Sequence, residues 1–92
     1  LQLKYILHRY WFEFDIPSGL ACPPGIGFGC GVSAFDYTDA IDQIKKKVFK
    51  EIEIPSITKY VKNIDVSNLD GHIKPNMESP AKRGIWFPLG YD

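Results

Sequence analysis

Few side chains in this chain carry reactive chemistry, and they are Cys22, Cys30, His8 and His72. As a set they are four zinc-type ligands, but their spacings match no zinc motif, and His8 and Cys30 fall inside predicted strands. A cysteine nucleophile needs a base beside it, and only the two histidines are available. Cys30 has Phe28 and Val32 as its apolar neighbours, the setting of a buried, inert thiol. Cys22 lies in a proline-rich loop with no activating group near it in sequence. The run Asp65 to Gly71 starts like a calcium loop and then departs from it, with Leu69 at the fifth position and Gly71 at the seventh. No catalytic residue, metal site or cofactor is assigned, and the reading leans away from an enzyme.

Glycine occupies every second position from Gly25 to Gly31. On a strand this places Ile26, Phe28, Cys30 and Val32 on one face and leaves bare backbone on the other. A bare face implies close approach by a side chain, another backbone or a ligand. Phosphate binding does not fit. The alternation lacks the G-x-G-x-x-G spacing and the Gly-Lys-Ser/Thr ending, and Val32 to Phe35 separates it from the next helix. Two readings remain. The glycine face packs against Trp11, Trp86 or a partner, or it floors the pocket of a small enzyme or ligand-binding protein, formed by Gly27, Gly29, Cys30, Gly31 and Asp70, with His72 and Arg83 as further polar groups.

The C-terminal half is rich in residue types that anchor interfaces. Trp86, Tyr91 and Met77 are candidates for a partner surface, and Arg83, His72 and Asn76 for fixing a loop there by hydrogen bonds. Ile85 and Phe87 are expected to face a helix, with Trp86 over the glycine face. Six lysines between Lys45 and Lys62, and Lys82-Arg83 beside Trp86, raise single-stranded nucleic-acid binding as a further alternative. Glu51 and Glu53 dilute that patch, and a helix C-terminus explains much of it.

The elements that must position these residues follow from local pattern. Leu3 to Phe14 reads as a strand whose apolar face changes near Arg9, which a bulge or a simple exposed charge would reconcile. Asp15 to Gly25 holds Pro17, Gly19, Pro23 and Pro24 and reads as a loop. Asp36 is an N-cap with Asp39 in the first turn. Tyr37, Ala40, Ile41, Ile44 and Val48 form one helical stripe predicted to be buried, with Phe35 stapled to Ala40. Acids early and lysines late match the helix dipole, and Pro55 ends the segment. Ile57 to Val66 reads as a strand, Ser67 to Gly71 as a turn, and Gly84 to Phe87 as a last strand stopped by Pro88.

The chain's 92 residues, 45% hydrophobic and 14% aromatic, predict a single domain spanning 1–92. Eleven basic residues balance eleven acidic ones, so no global charge draws it to nucleic acid or to an anionic membrane. Low net charge also favours a protein partner or a homodimer. No stretch approaches the roughly 18 apolar residues of a membrane span. Lys4, His8, Arg9 and Glu13 interrupt any signal-peptide core. Two cysteines make no disulfide scaffold, which points to free thiols and a cytoplasmic location, with a Cys22–Cys30 bridge as the alternative.

Several motifs resemble, as a set, a family of small bacterial proteins. They are Tyr10-Trp11-Phe12-Glu13-Phe14, Gly29-Cys30-Gly31-Val32-Ser33-Ala34, Asp65-Val66-Ser67-Asn68-Leu69-Asp70, Pro75-Asn76-Met77 and Arg83-Gly84-Ile85-Trp86-Phe87-Pro88. The resemblance brings no activity, ligand or catalytic residue with it. By analogy with such proteins it implies an immunity-type or accessory protein that acts by binding. The expected fold is two-layer α+β, a mainly antiparallel four-stranded sheet in the order β-β-α-β-β with one helix on one face. The expected function is a non-catalytic protein-binding module.

Overall fold

The structure, a computed structural model, describes residues 6–16, 26–50, 53–68, 71, 73, 77–88 and 90–91. Its elements are β1 (His8–Phe14), β2 (Cys30–Ala34), α1 (Tyr37–Gln43, continued as a π-helix over Ile44–Phe49), β3 (Ile57–Lys62) and β4 (Gly84–Phe87). They form an α+β fold, an antiparallel four-stranded sheet ordered β3-β1-β2-β4 with the helix packed against it. The chain order is β-β-α-β-β, and the spatial order makes β1 and β2 central and β3 and β4 the edges.

Apolar residues on both sides of β1 explain why the sheet centre is covered twice. Tyr10 and Phe12 face the helix in a core with Cys30, Val32, Ala34, Ala40, Ile44, Val48, Phe49 and Ile85. Trp11 points the other way, into a second core with Ile73, Trp86 and Phe87, flanked by Val61, Ile64, Val66 and Met77. Each fully buried large apolar side chain contributes about 1.5–3 kcal/mol. The change of face expected at Arg9 needs no bulge there. Pairing with β2 runs unbroken from His8↔Ala34 to Phe12↔Cys30, and Arg9 donates from Nε to the Ile64 carbonyl at 3.0 Å. The irregularity in β1 lies instead between Glu13 and Phe14, opposite β3.

The helix starts where its cap places it. Asp36 Oδ1 accepts from the Asp39 amide at 2.7 Å, and Asp39 Oδ2 accepts from the Phe35 amide at 3.1 Å. From Ile44 the turns widen to π geometry, closed by Lys50 in the left-handed region (φ 47) donating to the Lys45 carbonyl at 2.9 Å. Of the predicted stripe Ala40, Ile44 and Val48 are buried and Ile41 packs partly buried against the core, and Gln43 and Phe49 join them. Tyr37 and Phe35, expected to pack inward, are exposed at 40% and 39%.

Two further expectations are corrected. The glycine tract is not one long strand: Ile26–Phe28 is a 3₁₀ turn, and Gly29 at φ +133 precedes the strand that begins at Cys30. Phe87 does not face the helix. The β2–β4 register passes from Val32↔Ile85 to Gly31↔Phe87, so β4 carries one extra residue, Trp86. Such a bulge breaks the alternation, and Trp86 and Phe87 both enter the second core. The segments containing Leu3, Cys22, Asp70, His72 and Asn76 lie outside the described residues.

Candidate functional site

The glycine-rich segment is a packing surface. A Cβ built on Gly31 would stand 2.5 Å from Trp86 Cη2 and Cζ3, and 2.6 Å from Cε3. One built on Gly29 would meet Trp11 Cε2 at 2.8 Å and the Phe12 carbonyl at 2.9 Å. The two indoles lie 6.0 Å apart, centroid to centroid, and fill the space above the bare backbone. The pocket anticipated over Gly29 and Gly31 is therefore occupied by the protein's own side chains. Gly27 is exposed, with nothing among the described residues within 4 Å of its Cβ position. Cys30 points to the opposite, helix-covered side as a free, fully buried thiol, and burial pushes its pKa up, away from the thiolate.

The C-terminal candidates do not converge on one surface. Trp86 is 1% exposed, which removes it as a surface anchor. Its ring edge presses on Gly31, and its indole N–H is buried with no hydrogen-bond partner among the described residues. Met77 is half-buried against the second core, while Tyr91 packs against the first. Arg83 reaches the helix start. It donates from Nε to Asp39 Oδ2 at 3.0 Å and from Nη2 to Asp39 Oδ1, and its guanidinium lies 5.5 Å from the Phe35 ring centre. The Arg83 hydrogen bond is the main reason the Asp39 carboxyl titrates below its ordinary value. Asp39 also accepts from Gln43 Nε2 at 3.5 Å, and that amide donates to the Ser33 carbonyl at 3.2 Å. These contacts fasten residues 80–83 to α1 and β2, helped by the Ser33 hydroxyl donating to the Pro80 carbonyl.

A different surface carries exposed aromatic area. Tyr60, at 52% exposure, and Tyr37 meet with ring centres 5.0 Å apart, and both contact the buried Phe12 ring, at 5.9 and 5.8 Å. Tyr60 belongs to β3, an edge strand. Tyr37 stands on α1 beside a shallow groove of about 210 Å³ lined by Thr38, Ile41, Asp42 and Lys45. Beneath the pair, burial and then the nearby Asp36 and Tyr60 raise the Tyr10 phenol above its ordinary pKa. Lys62 shares the helix-side face of β3 with Tyr60, since their partners on β1 are Tyr10 and Phe12. Sequence reasoning placed Tyr37 in the core and gave Tyr60 no role. The missing information was which strand lies at the sheet edge.

No group of three or more His, Cys, Asp or Glu able to hold a metal ion occurs among the described residues. None of their helices is long and apolar enough to cross a membrane. No family model, no curated protein and no solved structure matches the chain.

Proposed function

We propose that this chain is a non-catalytic protein-binding module, of the inhibitor or accessory kind, whose contact surface is Tyr37, Tyr60 and the outer edge of β3. The observation that carries this reading is the pair of half-exposed tyrosines in mutual contact, Tyr60 on the edge strand β3 and Tyr37 on α1. Tyrosine supplies large, stiff contact area at small entropic cost, and both rings are held from below by Phe12. An edge strand offers unpaired N–H and C=O groups to an added segment. Cys30, the buried free thiol, suits a reducing compartment such as the cytoplasm.

The test compares affinity-tagged wild-type protein with Tyr37→Ala and Tyr60→Ala in a lysate of the source cell, with native mass spectrometry of what is retained. A stoichiometric protein should be retained by wild type and lost by at least about tenfold in either variant, as expected of anchor residues. Met77→Ala, on the other side of the sheet, should keep it. Equal retention by all the proteins, or no retained protein, defeats the reading.

A further inference from the structure

The chemistry of the occupant can be read from the charges around the tyrosine pair. Lys45 lines the groove beside Tyr37, and Lys59 and Lys62 lie on β3 on either side of Tyr60 in sequence. Among the described residues, none of these three lysines is ion-paired. Of the nearby carboxylates Asp42 is matched by a cation, whereas Asp36 and Glu13 accept from neutral N–H groups and keep their charge. Asp42 pairs with Lys46 at 3.0 Å, Asp36 caps the helix, and Glu13, opposite Lys59 on β1, accepts from the Trp11 indole at 3.0 Å. On the tyrosine face Lys45 and Lys62 flank the ring pair, while Lys59, opposite Glu13, lies on the other face of the same edge strand.

The two sheet edges also differ. On β4, the Trp86 carbonyl already accepts from the Glu78 amide at 2.7 Å. On β3, Thr58, Lys59, Tyr60 and Lys62 are exposed, and no strand of the described residues pairs with the outer side. A second copy added there would bring two more edge lysines against the first two, the arrangement by which edges discourage self-pairing. An acidic segment meets no such opposition.

Resting on the reading above, we propose that the partner presents an extended, acid-rich segment that adds to β3 as a further strand. One of its apolar side chains lies against Tyr60, Tyr37 and Ile41 with a carboxylate near Lys45 and Lys62, and a carboxylate on its other face stands near Lys59. Main-chain pairing supplies the geometry, the tyrosines supply contact area, and the lysines select charge and speed association.

The experiment is selection of a displayed library of random 12-residue peptides against the whole chain, followed by binding of the enriched peptides by fluorescence anisotropy. The proposal predicts enriched peptides of net negative charge with alternating apolar residues. Their affinity should fall at least about tenfold between low and half-molar salt, and by a similar factor in Lys59→Glu/Lys62→Glu. Far-ultraviolet circular dichroism of that variant should match wild type, because both lysines are exposed. Enriched peptides that are neutral or basic yet lost in Tyr60→Ala would overturn the acidic occupant and leave the binding module standing. Failure to enrich any peptide, with salt-sensitive binding of oligothymidylate instead, would overturn both in favour of single-stranded nucleic acid. A concentration-dependent dimer by light scattering, dissolved by Tyr60→Ala, would place a second copy on β3 and overturn the proposal.

Discussion

Replacing Gly31 by alanine adds one methyl group at a position whose backbone tolerates any residue, so its effect is purely steric. That methyl would lie 2.5 Å from Trp86 Cη2 and Cζ3 and 2.6 Å from Cε3. Ordinary carbon–carbon contact begins near ~3.5 Å, so the ring must retreat by about 1 Å. It has little room to do so. Trp86 is 1% exposed, and the tilted Trp11 ring lies beside it at 6.0 Å, centroid to centroid. Three atoms of a rigid ring are displaced together, which puts the cost at the upper end of the ~1–3 kcal/mol typical of overpacking. For a chain of this size each kcal/mol shifts Tm by about 4–8 °C. Gly31→Ala should therefore melt roughly 10–20 °C below wild type, read by tryptophan fluorescence during thermal and urea unfolding. Gly27→Ala is the control. With nothing among the described residues within 4 Å of its Cβ position, it should stay within about 0.5 kcal/mol of wild type. Combining Gly31→Ala with Trp86→Phe should recover about 1 kcal/mol or more relative to additivity, because the crowding atoms are removed. A Gly31→Ala protein as stable as wild type would refute the claim that the indole seals the glycine face.

The remaining expectations concern charge and reactivity. Asp39 titrates low in the folded state because of Arg83, so its contribution to stability is complete above the unfolded carboxyl value of about 3.9 and is lost as pH falls through the lower folded value. Urea midpoints of wild type and Arg83→Gln should accordingly differ near pH 6 and converge in acid; a constant gap would mean that the pair is not the source. Cys30, fully buried with its pKa raised, should alkylate only at the rate of unfolding, and rapid modification of native protein at Cys30, located by peptide mass mapping, would contradict its burial. Tyr60→Ala should weaken partner binding while changing the urea midpoint little, because the ring is half exposed, whereas Trp86→Ala should lose about 3–5 kcal/mol of stability.

Elements with a strong local signal were legible in the sequence. The Asp36 cap, the strand Gly84–Phe87 and the close approach at the glycines all rest on short-range chemistry, and each is present. Whatever depended on strand order or on an inserted residue was not legible. Phe87 changes face because Trp86 bulges, and no local preference marks that extra residue. The alternation of glycines broke at Gly29, where a positive φ, which only glycine adopts readily, starts the strand late. The candidate surface was the least visible part. Tyrosine is amphipathic and serves core and surface alike, so Tyr37 at helical spacing read as buried. Only the placement of β3 at the sheet edge leaves it and Tyr60 facing outward.

The central claim is that binding occurs at the β3 edge and not on the tryptophan side of the sheet. The most direct measurement is an amide and tyrosine-ring chemical-shift titration of isotope-labelled protein with the tightest peptide recovered from the library selection. The account predicts shifts concentrated in residues 57–62 and at Tyr37 and Lys45, together with slowed hydrogen exchange at β3 amides. Shifts centred on Gly31, Met77 and residues 84–87, with β3 unchanged, would contradict it.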